Sequence, residues 1–381
     1  MIKTKHLFYR IATAIFGVLF VLSSQTALAA GQFLQVNVTL DSSSPSTKLI
    51  LGSSTGVPIS TFKFVALNED AFVQRLSLRS KGLDAIATAV HIEYEDQRNV
   101  TKTKTGFLAN GVVTFDRLDF FVPMNASRTL VVKIDTNSVG PGTVQSGNHF
   151  QLDFSNGGFE AVGGTWGIPI GPSSVTNRVI GNTMVLRKTK PTISLAAGSP
   201  SGAGVPGLGE ALRFNVSADS RGFVQLRSLT FKVNADARTS GWEQCDGGAD
   251  IGSGAKWDVY DIQDPTTMFD DNHDWIFLTT DGSTCRRASG DVLKYAKLNF
   301  GNDHVPPPIG AGETKTYVVR LDTTGASPVN DSIRIDIPDE TEMNALAVKR
   351  SALSWDDDTA VQNIGGAFIR NLPVTGGKIT F

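Results

Sequence analysis

Cysteine is almost absent from this chain, with two residues in 381. That excludes a disulfide-dense scaffold, and no CxxC spacing offers a thiolate metal site. Histidine is nearly as scarce. Past the first thirty residues only His91, His149, His273 and His304 remain, none in HExxH and none near another at ligand spacing. No GxSxG elbow, phosphate-binding loop or dinucleotide fingerprint is present. GSPSG at 198–202 carries proline where a nucleophile would stand. Paired carboxylates for glycoside hydrolysis could meet in any fold, but the spacing nominates no pair. Charge of one sign is missing too. The formal net charge is −2, which gives no electrostatic footprint for nucleic acid, and no basic run suits an anionic bilayer. No later stretch is apolar for the roughly 20 residues that a membrane helix needs. Long helical periodicity is also lacking. These absences disfavour an enzyme, a nucleic-acid binder and an integral helical membrane protein.

What is present begins with an address. Lys3, Lys5 and Arg10 precede an apolar run from Ile11 to Leu22, and Ala27-Leu28-Ala29 has small residues where signal peptidase reads them. Residues 1–29 are therefore expected to be a signal peptide cleaved after Ala29. The mature chain would be secreted, extracellular or at the cell surface, without a transmembrane anchor. Its formal charge would be −5, because three cations leave with the peptide.

The remainder is rich in glycine, at 38 residues, and in phenylalanine, at 22. Short alternating runs are separated by Gly, Pro, Asn and Ser, the pattern of an all-β sandwich or barrel. FLQVNVTL (33–40) sets Leu34, Val36, Val38 and Leu40 on one face. FKFVAL (62–67) does the same with Phe62, Phe64 and Ala66, and TLVVKIDT (129–136) with Leu130, Val132 and Ile134. HIEYED (91–96) opposes Ile92 and Tyr94 to His91, Glu93 and Glu95. Asn110-Gly111 is a two-residue hairpin signal, because both positions tolerate positive φ.

The strongest signal is self-similarity. VTLDSSSPS (38–46) matches ISLAAGSPS (193–201), FKF (62–64) matches LRF (212–214), and FVQRLSL (72–78) matches FVQLRSL (223–229). VPMNASRTLVVKIDT (122–136) matches IGAGETKTYVVRLDT (309–323), and VIGNTMV (179–185) is set against FIRNLPV (368–374). Five collinear matches predict two tandem sandwich repeats, 30–189 and 190–381, joined at RKTKPT (187–192). Sheets with one apolar face bury it by packing face to face. Tandem Gly/Ser/Thr-rich sandwiches behind an export signal resemble the Ig-like repeat proteins of bacterial surfaces, of S-layer, adhesin or matrix-fibre type. The resemblance covers the mature chain in architecture and lacks the Cys and Trp spacing of antibody domains. It implies a non-enzymatic structural spacer, coat or ligand-presenting stalk with an Ig-like, Greek-key fold.

The copies differ by a net insertion of about 36 residues between 229 and 309, placed at about 235–305. It holds both cysteines, expected to form a Cys245–Cys285 disulfide after export. It also holds Trp242, Trp257 and Trp275, which either pack a core or stack on a glycan. Between Glu243 and Asp291 stand eleven acidic and three basic residues, a net of −8. Asp270, Asn272, Asp274 and Asp281 fall at positions 1, 3, 5 and 12 of a calcium-loop order, with Trp275 where that loop needs glycine. Calcium is thus the one cofactor the sequence raises, against a plain acidic loop before a strand formed by WIFLTT (275–280). A calcium- or glycan-binding adhesin is the alternative function. An exported hydrolase is the remote one.

Two features close the chain. LPVTG (372–376) has the sortase pattern but reads as a strand matching NTMVLRK (182–188). KITF (378–381) resembles TISL (192–195). It either closes its own sandwich, as TISL could close the first, or lends strand 376–381 to another molecule for head-to-tail assembly. Five N-x-S/T sequons, at Asn37, Asn99, Asn125, Asn215 and Asn330, are read as chance in an Asn/Ser/Thr-rich chain.

Overall fold

The computed structural model describes residues 34–176, 178–236, 257–269, 275–285, 292–300, 305–326, 331–369 and 371–381. The described residues are nearly all β and form four sheets. Sheet I orders strands Gln35–Leu40, Val57–Leu67, Ser127–Thr136, Ala87–Glu95 and Thr101–Gly106. Sheet II orders Lys48–Leu51, Met184–Arg187, His149–Gly163, Ala71–Gly82 and Val112–Val122. These two enclose the first core. Phe62, Phe64, Phe120, Phe150, Phe154 and Phe159 meet there, all fully buried. The alternation read from the sequence holds: Leu34, Val36, Val38, Leu130, Val132, Ile134, Ile92 and Tyr94 all point inward. Asn110 and Gly111 take φ of 52° and 77°, the pair of left-handed positions that the hairpin needs.

Sheets III and IV repeat this order. Sheet III runs Pro191–Leu195, Leu208–Ala218, Thr314–Asp322, Trp257–Asp261 and Asp264–Met268. Sheet IV runs Gly202–Ala203, Ile379–Thr380, Ser332–Ile337, Val224–Asp236, Tyr295–Asn299 and Trp275–Leu278. In each half a short early strand pairs in parallel with the last one, Lys48–Leu51 with Met184–Arg187 and Gly202–Ala203 with Ile379–Thr380. We call sheets I and II the first sandwich, and III and IV the second.

The repeated motifs recur because each makes the same bonds twice. Ser44 of the first SPS accepts from the Thr61 amide at 3.1 Å, and Ser199 of the second from the Arg213 amide at 3.0 Å. Buried Thr136 donates to the Leu51 carbonyl at 2.7 Å and accepts from the Ser54 amide at 2.9 Å. Its counterpart Thr323 donates to the Gly207 carbonyl at 3.1 Å and accepts from the Gly207 amide at 3.2 Å.

The structure changes or settles the sequence reading at four places. Much of the segment 235–305 is not an insertion. Trp257–Asp261, Asp264–Met268 and Tyr295–Asn299 hold the places of Ala87–Glu95, Thr101–Gly106 and Val112–Val122, while Trp275–Leu278 adds a strand at the sheet edge. A helix, α1 (Glu340–Ala345), interrupts the second sandwich where His149–Gly163 runs on in the first. Asp339 caps it by accepting from the Glu342 amide at 2.7 Å. TISL opens sheet III and does not close the first sandwich. Ile379–Thr380, finally, has both edges occupied, by Ser332–Ile333 and by Gly202–Ala203. A strand already paired on both sides has no edge to lend a second molecule.

Candidate functional site

The place where this chain concentrates buried polar chemistry is the joint between the sandwiches. Arg187 ends the last strand of the first sandwich and Pro191 begins the second, so three residues span the gap. Asp357 ends strand Leu353–Asp357, which pairs with Val224–Leu229, and it is fully buried. Its carboxylate takes a short hydrogen bond from the Ser146 hydroxyl, across the joint, and another from the Lys188 amide at 3.4 Å. Arg187 donates to Ser146 at 3.3 Å. Burial pushes the Arg187 guanidinium below its ordinary pKa and the charge of Asp357 pulls it back up. Beside them the Lys188 ammonium lies 2.7 Å from the Asp358 carboxylate. Buried Thr189 donates to the Gly222 carbonyl at 3.0 Å. Leu49, from the first sandwich, packs against the second core. Arg221 and Lys188 face Gly52, Ser53, Ser138 and Val139 across a small cleft. A three-residue linker is short to begin with; these bonds leave it little freedom.

A second buried carboxylate recurs in each sandwich. Asp153 accepts from Gln151 at 2.5 Å, from the Gly181 amide at 2.9 Å and from Arg178 at 3.1 Å. Asp336 accepts from Asn234 at 2.7 Å, from the Gly376 amide at 3.0 Å and from Arg334 at 3.0 Å. Gly181 and Gly376 are required for closeness. A Cβ there would stand 2.1 Å from the Leu152 oxygen and 2.2 Å from the Ile335 oxygen. The glycine of LPVTG is therefore a buried structural residue, and Val374–Thr375 pairs with Asp336–Ile337. The true counterpart of VTG (374–376) is VIG (179–181), not NTMVLRK. Sequence comparison missed it because the match rests on one hydrogen bond and not on an apolar run.

The residues singled out from the sequence scatter. Asp270, Asn272, Asp274, Trp242 and Cys245 lie outside the described residues. Cys285 is partly buried against the second core. Trp257 and Trp275 are buried within that core, their ring centroids 5.1 Å apart, with Phe231 and Phe277 against them. Their faces serve packing and present no platform to solvent. Trp275 heads strand Trp275–Leu278, as WIFLTT suggested. Among the described residues no group of three or more His, Cys, Asp or Glu could hold a metal ion. Nor is any helix there long and apolar enough to cross a membrane.

Asp281 has its oxygens engaged within its own turn. It accepts from the Thr279 hydroxyl at 2.5 Å, the Ser283 amide at 2.9 Å and the Ser283 hydroxyl at 3.0 Å. Those bonds, the Thr279 one foremost, hold its carboxyl below the usual carboxylate range. A depressed folded value means that the turn is fully supported above the unfolded pKa of about 4 and loosens as pH falls through the folded one. In an NMR acid titration the Ser283 amide should shift with a midpoint below that ordinary value. A midpoint at or above it would contradict the bonding.

No protein-family model matches the chain, and no curated protein matches it either. Solved structures do. A type II cohesin dyad from the adaptor ScaA scaffoldin of Acetivibrio cellulolyticus is 11% identical, with 91% of this chain and 98% of that one covered at a TM-score of 0.19. The C-terminal domain of the Streptococcus pyogenes antigen I/II-family protein AspA is 9% identical, with 91% and 99% covered at 0.20. Red sea bream transglutaminase is 8% identical, with 91% of this chain and 31% of that one covered at 0.27. At such TM-scores these likenesses carry no argument about function.

Proposed function

We propose that this chain is a non-enzymatic structural protein of the cell exterior, a rigid double module that spaces or presents what it is attached to. The observation behind this is the joint. A chain built for two independent domains would connect them through a solvated, flexible linker. Here Lys188 and Thr189 are tied down by Asp357, Asp358 and Gly222, and the Lys190 carbonyl accepts from the Asp219 amide at 3.3 Å. Three of the buried acids are likewise spent on structure: Asp153 and Asp336 hold strand ends, and Asp357 bonds across the joint. Export with cleavage after Ala29 and a Cys245–Cys285 disulfide belong to the same reading, since an oxidising exterior both permits the bond and rewards rigidity. Small-angle scattering of the mature protein tests it. One fixed arrangement of the sandwiches should fit the whole curve. If the curve needs an ensemble of arrangements, the rigid-module reading fails.

A further inference from the structure

The joint pairs two different ends of the same kind of sandwich, and the outer ends of the molecule are the unpaired counterparts of those two. One partner in the joint is the far end of the first sandwich, with Leu49, Gly52, Ser138 and Val139. Its counterpart on the second sandwich can be traced bond by bond. Leu49 pairs with Val185 as Ala203 pairs with Thr380, and the Thr136–Ser54 bonds recur as Thr323–Gly207. That end therefore carries Ala203 and Val205. The other partner in the joint is the near end of the second sandwich, with Asp219–Gly222, the turn 310–313 and Asp357. Its counterpart on the first sandwich has Asn68–Ala71 and the turn 123–126. Ala126 donates to the Pro123 carbonyl at 3.2 Å as Glu313 does to Gly310 at 2.9 Å. Asn125 and Gly312 share the left-handed conformation, with φ of 55° and 74°. Val73 pairs with Ala161 as Val224 pairs with Asp357.

Both outer ends expose apolar side chains. On the second sandwich Val205 is 86% and Leu208 57% exposed, beside a groove lined by Ala203, Ile379 and Phe381. On the first, Trp166 is 75% and Met124 49% exposed. Trp166 is held out by the bonding of its turn. The buried Glu69 carboxylate accepts from the Thr165 and Trp166 amides at 3.0 and 3.3 Å. The Gly164 amide donates to the Asp70 carbonyl at 2.8 Å. One end thus offers a fixed knob and the other a groove.

We propose that a second molecule of this chain docks here, the Trp166 end of one first sandwich seating on the Val205 groove of another's second sandwich, in the manner of the internal joint. An end of this type is already matched once within the chain by the opposite end; at the outer end Ala161 stands where the joint has Asp357, so the outer contact rests on the exposed apolar side chains. The contact joins unlike surfaces, so it does not stop at a two-fold dimer and adds molecules head to tail, into an open filament or a ring. It uses sandwich ends and not strand exchange. The inference rests on the joint being a true interface, which the scattering experiment tests separately. A flexible joint with assembling molecules would sink the rigid reading alone, and a rigid joint with solitary molecules would sink this one alone.

Sedimentation velocity over a concentration series is the test. The wild-type protein should show mass rising past the dimer with concentration. Trp166→Asp alone and Val205→Asp alone should each remain monomeric, since every contact needs one intact end of each kind. An equimolar mixture of the two should form dimers and nothing larger. Both positions are exposed, so circular dichroism and melting should be unchanged; if either variant misfolds, Met124→Lys and Leu208→Lys replace them. A wild-type protein monomeric throughout, a single variant that still assembles, or a mixture that stays monomeric would each overturn the proposal.

Discussion

Replacing Asp153 or Asp336 by alanine should each cost about 3 kcal/mol, and each should unfold its own sandwich first. Three kinds of donor converge on either carboxylate: a backbone amide, a side-chain amide and a guanidinium. They are not equal in consequence. Arg178 and Arg334 keep 55% and 41% of their side-chain surface in water, so each can be rehydrated when its acid is gone. Exposed ion pairs of that sort contribute little, roughly 0–1 kcal/mol. The Gly181 and Gly376 amides are buried with no water to turn to, and a hydrogen bond to a charged acceptor is worth about 1.5–3 kcal/mol. That places the loss at the lower end of the 3–5 kcal/mol range, roughly, seen for breaking buried charge pairs. Gly181→Val and Gly376→Val should reach a similar loss by another route, because a Cβ at either place meets a backbone oxygen that cannot swing aside. Urea titration followed by tryptophan and by amide exchange would separate the halves. A loss under about 1 kcal/mol in either acid variant would show that the carboxylate is not what holds the strand end.

How much of this was legible depended on the kind of physics involved. Apolar alternation was legible. Phe62, Phe64 and Ala66 face inward because every second residue of a strand must share a face. The two-fold repeat was legible for the same reason, and Thr136 and Thr323 stood out because one small hydroxyl makes both bonds of its turn. Single polar contacts were not legible. Setting VIGNTMV against FIRNLPV matched apolar residues and missed the register by six positions, since nothing in either run announces which glycine must lie on a carbonyl. Helix α1 left only a faint mark, Asp339 with Glu342 three residues on. Six residues carry too little periodicity to be seen, and the first sandwich offered no counterpart to compare. The acids of the joint were hidden more deeply still. Nothing in the run Asp356-Asp357-Asp358 sets its members apart, yet two of the three are buried, against Arg227 and against the joint.

A loss of similar size, about 3 kcal/mol, should come from Asp357→Ala, because a hydrogen bond to a buried charged acceptor is worth about 1.5–3 kcal/mol. The reasons separate it from Asp153. Asp357 is fully buried, and its charge offsets part of what burial costs the Arg187 guanidinium. Among the described residues Arg187 Nε has no hydrogen-bond acceptor. Removing it also strands the Ser146 hydroxyl and the Lys188 amide. Of these groups the Ser146 hydroxyl is buried and has the least access to water. The corresponding position in the first sandwich is Ala161, so the fold itself does not call for an acid there. Asp358→Ala is the control, because its pair with Lys188 is about a third exposed on both sides and should contribute less than about 1 kcal/mol. Asp357→Ala should therefore open the joint before it unfolds either core, giving a scattering curve that needs several arrangements while the near-ultraviolet signal of the buried tryptophans persists. If Asp357→Ala keeps the single arrangement of the wild type, the buried carboxylate is not what fixes the sandwiches to one another, and the short linker with Leu49 and Thr189 must suffice.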